Sequence, residues 1–188
     1  MARWLLLGLI LLAPSLGATL AMKLELDTLT DKADVVVRGK IDSKEARWDA
    51  AKTGIWTHHS VTATSTLKGE HAATIEFVTR GGTVGNKCQH VAGSGDFAVG
   101  DEFVFFLWRD DEKRLQLVGM IQGALAISEV DGVVRAKSSF TGLTLVDPKT
   151  LKPLPEADRT PLDFTLADLE SKVNARIKPV LPAPAEGK

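Results

Sequence analysis

Residues 55 to 67, IWTHHSVTATSTL, alternate in character from one position to the next and carry no helix-spaced apolar stripe. Successive side chains of an extended chain point to opposite faces. His59, Val61, Ala63, Ser65 and Leu67 therefore share one face, while His58, Ser60, Thr62, Thr64 and Thr66 share the other. Such a strand, apolar on one side only, belongs in a sheet that covers a core. The other periodic segments read the same way. DVVVRGKI, from Asp34, starts a strand able to run on to Trp48, because its three β-branched residues favour extended backbone and Gly39 permits a bend or bulge. TIEFVTR, from Thr74, sets Ile75 and Phe77 on one face. KCQHVAG is a weaker short strand, and DEFVFFLW, apolar almost throughout, is expected to be covered on both faces. The charged turn RDDEKR leads into LQLVGMI. GALAISEV and VVRAKS flank Asp131 and Gly132, a pair suited to the two positive-φ positions of a tight hairpin turn.

Helical signals are few. TLTDKA, from Thr28, can form one turn capped by Thr28 with Leu29 facing inward. Near the C-terminus, a helix is expected over 165–178. Thr165 is its N-cap, Asp168 completes an acidic capping box, Phe164 and Leu169 are spaced as a hydrophobic staple, and Leu166, Leu169, Val173 and Ile177 form the buried stripe. Residues 141–164 read as a Pro-rich connection, and 179–188 as a disordered tail. Strands do not alternate with helices, so a parallel sheet is not expected. A mainly β barrel or sandwich over 22–140, followed by the helix, fits the pattern, and 188 residues are enough for one core.

The first 21 residues differ from the rest: one cation, Arg3, then the apolar run Trp4 to Ala13, then Pro14 and small residues. This is the pattern of a secretory signal peptide, with an apolar run about half the length a membrane span needs. Cleavage is expected after Ala18 or Ala21, giving an exported protein, periplasmic or secreted, with no remaining membrane span. Removing 1–21 leaves 22 of the 23 Lys and Arg against 24 Asp and Glu, a net charge of −2. That balance offers nucleic acid no basic surface. Cys88 is the only cysteine and cannot form an internal disulfide.

Chemistry is scarce and concentrated near VTRGGTVGNKCQHVAG, residues 78 to 93. A phosphate loop requires four residues between its glycines, then Gly-Lys-Ser/Thr and a helix. Here two residues separate Gly82 from Gly85, Cys88 stands at the hydroxyl position, and no helix follows. Gly81, Gly82 and Gly85 therefore read as turn glycines. Cys88 and His90 can share a strand face, and with His59 from another strand they are the candidate ligands of a zinc ion. Adjacent His58 and His59 point apart and cannot readily serve one ion together, and His71 lies in a turn. Cys88 and His90, two apart on a strand, stand roughly 6–7 Å from each other, too far for direct activation of the thiol. No catalytic set is assigned. Trp48, Trp56 and Trp108 sit near strand ends and read as core lids.

With the strands laid out, Ala33, Asp34 and Gly39, then Leu67-Lys68-Gly69, then Gly81, Gly82 and Gly85, then Phe97, Gly100 and Asp101 form a spaced series. Over roughly residues 28–127 this resembles a group of exported bacterial proteins with Leu-Lys-Gly, Gly-Gly-x-x-Gly and Phe-x-x-Gly motifs. More distantly it is similar to netrin-like and metalloprotease-inhibitor domains of OB type. The resemblance implies a small, closed or partly open OB-like antiparallel barrel in which VVVRGKI and DEFVFFL meet, with loops and one barrel face as the binding surface. Metalloprotease inhibitors hold the target's zinc through an N-terminal cysteine, which this chain lacks once the leader is removed. The expected function is that of a non-enzymatic module binding a protein or envelope component, without a cofactor. The alternatives are a small metal- or thiol-dependent enzyme using Cys88, His90 and His59, and a structural envelope protein.

Overall fold

The computed structural model describes residues 19–177, so the apolar N-terminal run and the C-terminal tail lie outside the described residues. The chain is mainly β, and its organising element is strand β7 (Glu102–Arg109), whose residues Phe103 to Leu107 are all buried. β labels follow chain order: β1 (Thr19–Met22), β2 (Val35–Trp48), β3 (Ile55–Lys68), β4 (Thr74–Arg80), β5 (Gly82–Val84), β6 (Lys87–Gln89), then β7. After it come β8 (Leu115–Leu117), β9 (Ala124–Val130), β10 (Val133–Lys137), β11 (Leu143–Val146) and β12 (Asp163–Thr165); the helices are α1 (Leu26–Lys32) and α2 (Leu166–Ile177).

Eight strands form one sheet in the order β12-β10-β9-β7-β2-β3-β4-β8, and β8 also pairs with β7, which partly closes the sheet into a ring. One edge of β7 is shared between two partners. Phe103 to Phe105 pair with β9, while Leu107 to Arg109 pair with β8. The β4–β8 junction is slight, a single parallel pairing of Val78 with Gln116. Two small sheets lie outside the ring: β5 with β6, and β1 with β11 in parallel.

The ring can curve because β2 and β3, each 14 residues long, lose register at three places. One lies at Arg38/Gly39, and a β-carbon on Gly39 would stand 2.5 Å from the Thr62 carbonyl oxygen. The chains thus approach where only glycine fits, and each bulge adds local twist. Alternation then distributes the side chains. Val35, Val37, Ile41, Val61, Ile75, Phe77, Phe103, Phe105 and Leu107 pack together on one side of the strands with Phe97. Val36, Val104 and Phe106 face the other way and pack against Leu26 and Leu29 of α1 and Leu169 and Val173 of α2. The near-continuous apolar run of β7 is therefore covered on both faces, as expected.

Turns follow local chemistry. Asp131 and Gly132 both have positive φ, 52° and 76°, and join β9 to β10. Asp110 accepts hydrogen bonds from the Arg114 backbone N–H and from the Gln116 side chain, which ties down the charged turn between β7 and β8. At α2, the Thr165 hydroxyl accepts the Asp168 N–H at 3.1 Å, the expected cap.

Three details differ from the sequence reading. Helix α1 begins at Leu26 rather than at Thr28, with Glu25 before it and no side-chain cap, because Leu26 as well as Leu29 packs inward. Within 141–164, the connection contains β11 and β12, whose backbone groups find partners in β1 and β10. Of the three tryptophans among the described residues, only Trp56 is a buried lid; Trp48 and Trp108 are each 39% exposed. Among the described residues, no helix is long and apolar enough to cross a membrane.

Candidate functional site

The alternation of β3 places His59 inward and His58 outward. His58 bonds Glu76 on the outer surface at 2.7 Å, while His59 is 2% exposed. Its ring stacks on Phe77 with centroids 4.7 Å apart and meets the edge of Phe97 at 5.3 Å. His59 Nε2 and the Thr79 hydroxyl of the adjoining strand lie 2.9 Å apart and share a hydrogen bond. Nδ1 is buried and has no hydrogen-bond partner among the described residues. Burial, reinforced by the charge of Lys44, lowers the His59 pKa from 6.5 to about 4. At neutral pH the imidazole is uncharged. Depending on how the Thr79 hydroxyl turns, Nδ1 either accepts or donates a hydrogen bond.

His59 lines a cleft of about 890 Å³. Phe97, Phe103 and Ile121 make its apolar wall, and hydroxyls of Thr57, Thr79, Ser139 and Thr141 stand around it. At the mouth, Lys44 Nζ and Asp96 Oδ1 pair at 3.2 Å. The β5–β6 hairpin forms one side of the cleft. Gly81 and Gly82 enter it with φ of 98° and 133°, and a β-carbon on Gly82 would press to 2.5 Å from the Thr57 hydroxyl. The paired glycine thus allows the hairpin to lie close against β3. Gly85, φ 59°, turns the hairpin in open space.

Cys88 lies on β6 opposite Thr83 and is exposed, as is His90 just after the strand. Cys88, His90 and His59 all line this one cleft. Among the described residues, no three or more His, Cys, Asp or Glu side chains are grouped so as to hold a metal ion. His71 is exposed and bonds Thr66. The sequence pattern does not single out Thr79, Lys44, Ser139 or Thr141, and Asp96 reads there only as one of several solvated turn acids. Lys44, Ser139 and Thr141 reach the cleft from segments distant in the chain, whereas Thr79 lies within residues 78–93 and Asp96 just beyond them, and no local pattern marks their part in it.

A smaller cavity of about 280 Å³ adjoins the first, and Gln89 and Arg80 line both. Gln89 Oε1 accepts the Ile55 N–H at 2.7 Å. Beside it the guanidinium groups of Arg80 and Arg114 lie 4.6 and 4.3 Å from the Trp56 ring.

No protein-family model matches this chain, and no curated protein matches it either.

Proposed function

We propose that this protein is an exported, non-enzymatic binding module of OB-like type, which takes an uncharged side chain or headgroup of an envelope partner into the cleft beside His59. The observation that carries the reading is the cleft itself. It has an apolar wall, hydroxyls around it and a neutral histidine whose Nδ1 has no partner among the described residues. A buried polar atom left unpaired is costly; Nδ1 is closed to solvent here, so the reading requires a side-chain shift that opens it to the entering group, which then gains that hydrogen bond at little desolvation cost to the histidine. The paired Lys44 and Asp96 at the mouth offset each other and favour no net ligand charge. The OB-like assignment draws support from the ring order β2-β3-β4-β8-β7 and from the spaced glycine motifs.

The test compares capture from an envelope extract by the immobilised wild-type chain and by Thr141→Trp, which fills the mouth from an exposed position. A specific species retained by wild type and by Val130→Ser, and lost with Thr141→Trp, supports the reading. Equal capture by the blocked variant overturns the site.

A second reading rests on the shared cleft of Cys88, His90 and His59: a small metal- or thiol-dependent enzyme. Metal retained by the purified protein, or turnover lost in Cys88→Ala, would replace the binding reading with this one.

A further inference from the structure

In the smaller cavity, polar groups converge on the side of Gly54 that carries no side chain. A β-carbon there would lie 3.4 Å from Asp49 Oδ2, 3.8 Å from Gln89 Oε1 and 4.0 Å from Trp56 Nε1. The Gln89 amide has a fixed orientation, because its Oε1 accepts the Ile55 N–H, and Nε2 is left as a donor. Arg80 stands directly across the β3–β4 ladder from Trp56, with its guanidinium over the indole ring. Among the described residues, the Arg80 guanidinium, the Trp56 indole N–H and Gln89 Nε2 have no acceptor. Arg114, on the same ring, is by contrast committed to Asp110 at 2.8 Å and Glu112 at 3.1 Å.

Unused donors beside a planar guanidinium suit a carboxylate, which the guanidinium can grip through two parallel bonds. A bare anion is nonetheless disfavoured, because Asp49 and Glu112 line the same cavity and balance the two arginines. Asp49 is charged at neutral pH, since hydrogen bonds from the Thr53 hydroxyl and N–H hold it below its ordinary 3.8. Those two bonds leave about half of the acceptor positions of its carboxylate open. A ligand carrying both signs gives each unpaired lining charge a partner. The geometry points to a second binding site in this cavity, for a small zwitterion of the α-amino-acid class, its carboxylate on Arg80 and Gln89 Nε2 and its ammonium on Asp49. The volume, about 280 Å³, is at the small end for ligand cavities and fits such a molecule. The site goes beyond the reading of the larger cleft and does not depend on it, although Arg80 and Gln89 line both.

The experiment titrates the isotope-labelled protein with L-alanine and follows the indole N–H resonance of Trp56, assigned with Trp56→Phe. A saturable shift is expected, with a dissociation constant on the order of 1 mM for an open site with a few charge-assisted bonds. Acetate and methylammonium, each carrying one half of the ligand's charge, should bind about tenfold more weakly at equal ionic strength. Arg80→Gln, at an exposed position, should weaken alanine binding by about tenfold or more. Thr141→Trp, which blocks only the larger cleft, should leave the alanine response unchanged, so the two sites can fail separately. No alanine-dependent shift, an equal affinity for acetate or methylammonium, or unchanged binding in Arg80→Gln would each overturn the inference.

Discussion

His59 illustrates how one residue's position in an alternating strand becomes a chemical property. Alternation sends it inward, burial strips its water, and its pKa falls from 6.5 to about 4. Between those two values, the unfolded chain binds a proton at this site that the folded chain excludes. Stability is therefore constant above pH 6.5 on this account and falls as pH drops from 6.5 to 4, by about 3 kcal/mol in all. Thermal unfolding followed against pH should show that decline in the wild type and a flatter profile over the same window in His59→Gln. Asp49 and Asp147 act in a separate range, because hydrogen bonds from Thr53 and Thr150 hold them below their ordinary 3.8. The inward face of His59 was legible from its neighbours in sequence. Its bond to Thr79 was not, since that pairing depends on the register of β3 against β4.

Among the elements, the long β2–β3 hairpin shows which glycines matter and why. Gly39 has no positive φ to accommodate; its constraint is contact, with Thr62 and Val61 atoms at 2.5 and 2.6 Å from where a β-carbon would sit. Gly39→Ala should therefore cost about 2 kcal/mol or more, measured by urea unfolding, as the strands are forced apart at the bulge. Gly85 presents the opposite case: φ is 59° and nothing lies within 4 Å. Gly85→Asn should leave stability within about 0.5 kcal/mol, because asparagine tolerates the left-handed region. Equal losses in the two variants would contradict this separation of crowding from conformation. The bend at Gly39 was readable from a lone glycine in a β-branched run. The β5 strand was not, because three residues between glycines carry too short a pattern to identify.

At the scale of the molecule, both faces of β7 must be covered, and α2 provides much of the outer cover through Leu169 and Val173, each 0% exposed. Leu169→Ala should lower stability by about 3 kcal/mol in urea unfolding, by lost burial and the cavity left behind. Asp31→Ala, which breaks the exposed pair with Arg176 between the two helices, should lower it far less. The reverse ranking would mean that charge rather than packing docks α2. What the chain determined alone were the longer periodic segments and the local turns with specific turn chemistry. The strands of the ring, the Asp131-Gly132 hairpin, the Thr165 cap and the inward stripe of α2 each depend on residues a few positions apart. What needed the tertiary structure was every partnership across distance. β8 closes against β4, β11 finds β1, and the Gln122 side chain reaches Leu24 across 98 residues. The cleft likewise joins His59, Cys88 and Thr141 from three separate segments. Periodicity specifies which way a side chain points, but not which other segment it will meet. That is settled by sheet register and by the burial of both faces of one strand.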